Sequence, residues 1–193
     1  MVQRPGGADF APGAYVFPGG TVHEGDRYFE DEIRAAAVRE LFEEAGILLA
    51  RGARDADCDR LRLSLERGKS FAEAMHEAGL APDFHALVMF ARWITPALLR
   101  RRFDARFYLA RMPDGQTVKP QVGEVVDWLW VSPSRALTNP DLTLVYATRA
   151  VLESVADAPN TETLIARARA LRDVPIVEPR IVETEAGWEV VRD

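Results

Sequence analysis

Hydrophobic and polar positions follow two different periods along the chain, which predicts a mixture of helices and strands. Residues 84–95, 103–111 and 125–131 are dense in aromatic and aliphatic side chains and end at prolines or glycine, which is typical of strands. The remaining predicted elements are helices at 29–45, 144–155 and 161–171, short helices near 59–66, 70–78 and 132–137, a short strand at 14–17 and two short strands within 174–191. Because the two kinds mix without strict alternation, the pattern favours an α/β or α+β fold with a mixed sheet.

The chain has 193 residues, which is enough for one domain with a sizeable core. It contains no internal repeat and no low-complexity tract. We therefore expect a single domain over residues 1–193. Its most polar stretch, about 51–83, is expected to be a helical insertion, and about 158–193 a C-terminal extension.

Charge limits the partners that this chain can attract. Lysine and arginine number 24 against 30 acidic residues, so the net charge is −6. An acidic chain does not attract nucleic acid by bulk charge, and we expect no nucleic-acid partner. If the protein handles phosphates, it needs local basic residues or a bound cation.

Apolar runs and cysteine content bear on location. No stretch reaches the ~18 uncharged apolar residues of a membrane helix, and the first residues lack the apolar core of a signal peptide. We therefore expect a cytoplasmic protein without a membrane partner. The single cysteine, Cys58, excludes an intramolecular disulfide and a cysteine-based zinc cluster, and its neighbours Asp57 and Asp59 favour an exposed thiol.

Three glutamates fall on one face of the predicted helix 29–45, within the segment RELFEEAGI at 39–47. At about 3.6 residues per turn, Glu40, Glu43 and Glu44 share a stripe roughly 100° wide, with apolar residues opposite. Like charges at this spacing repel one another, and a hard divalent cation such as Mg²⁺ or Mn²⁺ removes the conflict. On these residues alone, a solvated acidic face is the alternative to a metal site.

The segment 39–47 resembles the Nudix hydrolases. It fits the second half of their box, G-x5-E-x7-R-E-U-x-E-E-x-G-U with U a bulky aliphatic residue, at every fixed position. The run FPGG at 17–20 is similar to the glycine loop that precedes the box helix. The resemblance implies a Nudix fold, in which the box forms a loop–helix–loop and helices sandwich a mixed sheet. The lengthened box and the segment after it resemble the branch that includes coenzyme A diphosphatases, although the coenzyme A motif of some members is not recognisable.

The first half of the box departs from the pattern, because 18 residues separate Gly20 from Arg39, five more than the box allows. Either Gly25 begins the box with Asp31 as its first acid, or Gly20 begins it and the loop carries a five-residue insertion. We favour the insertion, because the FPGG run follows a predicted strand. The acid is then one of Glu24, Asp26, Glu30, Asp31 and Glu32. Only 2–4 stand where the family's first strand should end, so we expect a truncated start or a missing edge strand.

The resemblance also implies roles for individual residues. Glu43 and Glu44 are the implied metal ligands, and Glu40 is a further ligand or the base that activates water. Arg39 is implied to pair with the earlier acid of the box, whose structural glycines are Gly19, Gly20 and Gly46. Glu124 is a further candidate base or ligand, with plain exposure as the alternative. Arg102 and Arg106 are candidates for binding phosphates, with an ion pair to Asp104 as the alternative.

These assignments predict a Mg²⁺- or Mn²⁺-dependent hydrolase of a diphosphate linkage. The expected substrate is a small nucleoside diphosphate derivative, with coenzyme A or an acyl derivative among the better substrates, and a homodimer is one expected assembly. The alternative from another class is a catalytically weak Nudix-fold module that binds a nucleotide or regulates a partner. RNA-cap cleavage lacks support, because no basic stripe with interleaved aromatic residues is present.

Overall fold

The computed structural model describes residues 1–8, 11–121, 123–184 and 187–192, and its helices and strands mix along the chain as the sequence predicts. The strands are β1 Val2–Gln3, β2 Tyr15–Val16, β3 Val88–Ile94, β4 Asp104–Leu109, β5 Asp127–Trp128, β6 Ile176–Val177, β7 Arg180–Thr184 and β8 Gly187–Val191. The α-helices are α1 Glu32–Ala45, α2 Asp55–Glu66, α3 Phe71–Glu77, α4 Pro133–Thr138, α5 Tyr146–Val155 and α6 Thr161–Arg169, and Glu24–Tyr28 and Phe84–Ala86 are 3₁₀ helices.

The chain divides into two compact units. The first comprises Met1–Ala86 and Arg111–Ala156, and the second comprises Leu87–Ala110 and Asp157–Asp193. All four candidate glutamates, Arg39 and the glycine loop belong to the first unit. Among the described ranges, no helix is both long and apolar enough to cross a membrane.

The first unit contains a small antiparallel sheet in the order β2-β1-β5. The segment Val2–Gln3 is therefore a central strand of this sheet. A core cluster of Tyr15, Ala136, Leu142 and Leu152 joins β2 to α4 and α5, with Leu129 and Val131 packed against it. This cluster anchors the strand that leads into the glycine loop.

Helix α1 begins and ends at residues suited to those positions. The Asp31 side chain accepts a hydrogen bond from the Arg34 backbone N–H at 3.0 Å, which caps the first turn. Gly46 ends the helix in the left-handed conformation at φ 73°, as the sequence predicts. A Cβ at Gly46 would lie 2.6 Å from the carbonyl oxygen of Lys119, so both space and backbone conformation require glycine there.

Helices α2 and α3 lie within the predicted insertion. Its two ends meet, because Ala50 bridges Pro82 and the Asp83 N–H donates to the Leu49 carbonyl at 2.8 Å. The buried Gln116 side chain binds the chain just before the insertion. Its Oε1 accepts a hydrogen bond from the Leu48 N–H at 2.8 Å, and its Nε2 donates to the Leu48 carbonyl at 2.9 Å. The insertion therefore begins and ends at neighbouring positions that are held by hydrogen bonds.

Cys58 corrects one expectation. Its thiol is buried at 3% exposure, and burial raises its pKa. On α2 the side chains of Cys58 and Leu61 share the buried face, whereas Asp57 and Asp59 lie about 100° away on either side. The flanking charges therefore say nothing about the exposure of the thiol.

The second unit is built on a mixed sheet in the order β4-β3-β6, with β3 antiparallel to β4 and parallel to β6. Helix α6 packs Ile165 and Ala168 against Val88 of β3. The tail forms the hairpin β7-β8, whose predicted turn residues 185 and 186 lie outside the described residues. Two predicted strands are shorter than expected: 84–95 begins with a 3₁₀ helix, and 125–131 contains only the two-residue β5.

Candidate active site

Helix α1 presents three glutamates on the face opposite its packed side. Val38, Phe42 and Ala45 are buried, and they fix the rotation of the helix in the first unit. The side chains of Glu40 and Glu43 retain 13% and 27% exposure. The helix therefore holds its carboxylates at a partly buried surface, where charge is less screened than in bulk water.

Arg39 is the buried centre of this region. Its guanidinium donates to both carboxylate oxygens of Asp26 at 3.0 and 3.1 Å, and the two side chains are only 5% and 1% exposed. It also donates to Glu40 Oε1 at 2.9 Å and to Glu43 Oε2 at 2.7 Å. Burial alone would lower the Arg39 pKa, but the hydrogen bond to Asp26 and the charges of Glu40, Glu43 and Asp26 raise it overall.

The partner of Arg39 bears on the two box registers. Asp26 lies on the 3₁₀ helix Glu24–Tyr28, and its Oδ2 accepts from the His23 N–H at 2.7 Å. Asp31 instead caps α1 and pairs with Arg34. Asp26 follows Gly20 at the spacing G-x5-acid, so the five extra residues fall between Asp26 and Arg39. The contacts favour the Gly20 register, and that spacing is the signal that would have selected Asp26 from the five candidate acids.

The glycine loop lies directly against the acidic face of α1. The Gly19 N–H donates to Glu44 Oε2 at 3.0 Å. A Cβ at Gly20 would lie 2.3 Å from Glu40 Oε1, whereas a Cβ at Gly25 would meet nothing within 4 Å. Gly20 therefore leaves the space that the Glu40 carboxylate fills.

Glu124 joins the three helix glutamates electrostatically. Burial raises the pKa of Glu44 to about 7, the Gly19 hydrogen bond and Arg4 act in the opposite direction, and the charges of Glu40 and Glu124 add to the rise. Burial also raises the pKa of Glu43, with Glu40 and Glu124 contributing and Arg39 opposing. We call Glu40, Glu43, Glu44 and Glu124 the glutamate cluster. The charges of Glu40 and Glu124 thus disfavour the charged forms of Glu43 and Glu44, which is a conflict that a nearby cation relieves.

The donor set fits a hard divalent cation, because it consists only of carboxylate oxygens. The side chains as they stand are engaged elsewhere, with Glu40 and Glu43 on Arg39 and Glu44 on Gly19. Accordingly, no three acidic, histidine or cysteine residues in the described part of the chain are gathered closely enough to hold a metal ion. Metal binding thus requires these carboxylates to change partners.

The candidate phosphate-binding arginines belong to the second unit, where both are engaged with carboxylates. Arg102 donates to Glu178 at 2.5 Å and to the Thr95 carbonyl at 3.0 Å. Arg106 lies 3.7 Å from Asp104, which also accepts two hydrogen bonds from Arg92 at 2.7 Å each. Substrate binding by Arg102 and Arg106 stays a prediction.

The fold and the box define a class of protein, the Nudix hydrolases. The model of the NUDT19 Nudix domain matches residues 29–143, which is more than half of the chain, and the chain belongs to this family. Over 86% of both chains, the structure is similar to the crystal structure of a NUDIX hydrolase from Alicyclobacillus acidocaldarius, with a TM-score of 0.71 and 27% identity. The Nudix fold inferred from the sequence is therefore confirmed.

Two curated relatives are similar in sequence. Nudix hydrolase 7 of Caenorhabditis elegans is 33% identical over 142 residues, which cover 71% of this chain and 47% of the relative. The human acyl-coenzyme A diphosphatase NUDT19 is 35% identical over 121 residues, which cover 53% of this chain and 32% of the relative. The chain thus spans half or less of these two proteins.

We predict that Asp26→Asn destabilises the fold much more than Asp31→Asn. Asp26→Asn removes the buried countercharge of Arg39 and should cost about 3 kcal/mol, whereas Asp31→Asn weakens a helix cap and should cost about 1 kcal/mol or less. Guanidinium unfolding at pH 7 measures both free energies. Equal losses, or a larger loss for Asp31→Asn, would contradict the pairing of Arg39 with Asp26.

We predict that Glu44 makes the metal-free protein less stable as the pH rises. Its pKa is about 7 in the folded protein against 4.5 ordinarily, so the folded state binds this proton more tightly than the unfolded state. The resulting stabilisation is fully present below pH 4.5 and is lost as the pH rises through 7. Unfolding in EDTA between pH 4.5 and 8 should show wild type losing up to about 3 kcal/mol relative to Glu44→Gln.

The control for the pH series is Glu66→Gln, which removes an exposed carboxylate of α2. Its curve should run parallel to that of wild type. If the curve of Glu44→Gln is also parallel, Glu44 does not titrate near pH 7.

Proposed function

We propose that this protein is a divalent-metal-dependent hydrolase that splits a diphosphate linkage in a nucleoside diphosphate derivative. The observation that carries the proposal is the glutamate cluster, which lies against the glycine loop and is braced by the buried pair of Arg39 and Asp26. Membership of the Nudix family supports it. The human relative's description as an acyl-coenzyme A diphosphatase points to coenzyme A or its acyl derivatives as the substrate class.

In this proposal Glu43 and Glu44 hold the cation, Mg²⁺ or Mn²⁺, and Glu40 is a further ligand or the base. A divalent cation at such a site supplies neutralisation of phosphate charge and a lower pKa for a bound water. Without metal, Arg39 holds Glu40 and Glu43 on the loop side of α1 through two hydrogen bonds, and the Gly19 N–H holds Glu44 there. To bind the cation, Glu43 and Glu44 would exchange these partners for it.

The attacking water must lose a proton, and the cluster offers two candidate bases, Glu40 and Glu124. A positioned carboxylate base typically contributes ~10²- to 10⁴-fold to the rate. Arg102 and Arg106 are proposed to bind substrate phosphates, which would require them to exchange their present carboxylate partners for phosphate oxygens.

The proposal is tested by a turnover screen of coenzyme A, an acyl-coenzyme A, ADP-ribose, NADH and diadenosine polyphosphates with Mg²⁺ and Mn²⁺. Wild type should release products from a coenzyme A compound, and Glu44→Gln should fold normally but lose at least about 100-fold in turnover. Glu66→Gln should match wild type. Near-wild-type turnover by Glu44→Gln would remove Glu44 from the mechanism.

The remaining outcomes of the screen separate the substrate from the activity. Turnover of dinucleotides alone would refute the coenzyme A assignment and leave the hydrolase proposal standing. Nucleotide binding without product release under any metal would show a binding module instead.

We predict that Gly20→Ala lowers turnover while Gly25→Ala does not. The new methyl at position 20 displaces the Glu40 carboxylate, and a displacement on the ångström scale should reduce kcat roughly 10- to 100-fold. The backbone at Gly20 has no left-handed φ, so alanine should fold there without strain. The check is steady-state kinetics with thermal unfolding of both variants, and equal activity would show that the loop does not position Glu40.

A further inference from the structure

The connection between β3 and β4 contains a turn, and we call its residues 96–102 the tip loop. Its base is fixed by reciprocal hydrogen bonds, because the Thr95 N–H donates to the Phe103 carbonyl and the Phe103 N–H donates to Thr95 Oγ1, each at 2.9 Å. Within the loop, the Leu99 N–H donates to the Pro96 carbonyl at 3.1 Å. The loop is thus held on the end of the β3-β4 ladder.

The tip loop exposes large apolar side chains next to one another. Leu98 is 69% exposed, Leu99 46% and the adjoining Phe103 38%. Single exposed leucines are ordinary, but a consecutive pair at the tip of a hairpin leaves a contiguous apolar surface in water. Beside it lies a mainly apolar groove of about 430 Å³, lined by Pro96, Ala97, Leu98, Glu178, Pro179, Arg180 and Ile181. The apolar surface therefore extends beyond the loop itself.

Three consecutive arginines, Arg100, Arg101 and Arg102, follow the leucines and are exposed. Arg102 is paired with Glu178, whereas neither Arg100 nor Arg101 has a carboxylate partner among the residues that the structure describes. The guanidinium of Arg101 lies over the Phe103 ring at 5.5 Å from its centroid. Two uncompensated positive charges thus adjoin the apolar pair in a chain whose net charge is −6.

We propose that the tip loop docks the protein on an anionic phospholipid membrane surface. The leucines enter the boundary between headgroups and acyl chains, and Arg100 and Arg101 meet lipid phosphates. The exposed leucines and the two arginines together favour this partner. A nucleic-acid backbone could meet the arginines but has no apolar surface for the leucines, and a small free anion is too small to bury them. Such contact is peripheral and needs no spanning helix. It uses Arg100 and Arg101, whereas the proposed function assigns Arg102 of the same loop to substrate phosphates.

The test is co-sedimentation of the full chain with vesicles of phosphatidylcholine alone and of phosphatidylcholine with 30 mol% phosphatidylserine. Wild type should bind the anionic vesicles, bind the neutral ones at least ten-fold more weakly, and dissociate in 0.5 M NaCl. Arg100→Gln/Arg101→Gln should weaken binding about 25-fold, at roughly five-fold for each charge. Leu98→Ser/Leu99→Ser should weaken it at least ten-fold.

Matched controls lie elsewhere on the surface. Arg51→Gln/Arg67→Gln makes the same change of charge at exposed arginines, and Leu63→Ser/Leu171→Ser makes the same change of hydrophobicity at leucines that are 50% and 40% exposed. Both should bind vesicles like wild type, and thermal unfolding should confirm that all four variants fold. The proposal would be overturned if wild type bound both kinds of vesicle equally, or if either loop variant bound as tightly as wild type. It would also be overturned if a control variant lost as much vesicle binding as its matched loop variant.

Self-association through the tip loop is the alternative to binding lipid. Sedimentation velocity without lipid distinguishes it: wild type and Leu98→Ser/Leu99→Ser should show the same oligomeric state. An oligomer that dissociates in the Leu98→Ser/Leu99→Ser variant would assign the loop to self-association and overturn docking on lipid.

Discussion

The buried ion pair between Arg39 and Asp26 is the constraint on which the site depends. Removing two charges from water is costly unless each finds good partners, and here one guanidinium satisfies a buried aspartate while also holding two glutamates of the same helix. The pair joins the loop that follows the FPGG run to the middle of α1. Loop and helix therefore keep their relative position, and the carboxylates of Glu40 and Glu43 are both held on the Arg39 guanidinium despite their like charge.

Much of the architecture could be predicted from local patterns. The period of α1, its acidic stripe and its end at Gly46 are properties of a short segment, and the structure reproduces them. The predicted strand at 125–131 is wrong in length for a non-local reason. Its regular ladder contains only Asp127 and Trp128, opposite β1, and Met1 and Leu129 exchange two further hydrogen bonds beside it. Hydrophobic pattern predicts where a strand can form, but its length depends on what lies beside it.

In the site, too, local features could be predicted from the sequence and tertiary contacts could not. The sequence places Glu40, Glu43 and Glu44 on one face, yet it does not reveal that Arg39 and Gly19 already occupy their oxygens. It left five acids open as the partner of Arg39, and a buried contact across 13 positions selects Asp26. Glu124 approaches the cluster through tertiary folding, and only the family resemblance pointed to it. The expected exposure of the Cys58 thiol was wrong, because consecutive side chains of a helix point in different directions and the charges of Asp57 and Asp59 do not define the surroundings of Cys58.

The closed ends of the insertion have a consequence for how this chain can change. Residues 51–81 leave and return at one place, fastened by the Ala50–Pro82 bridge and by the amide of Gln116, which pairs with Leu48 as a peptide group would. A segment with coincident ends can be lengthened, shortened or exchanged at small entropic cost, since loop closure depends only weakly on length. Chain entropy therefore constrains the length of this excursion little, whereas the contacts of Phe71 with Phe42 of α1 and with Phe29 constrain its packing.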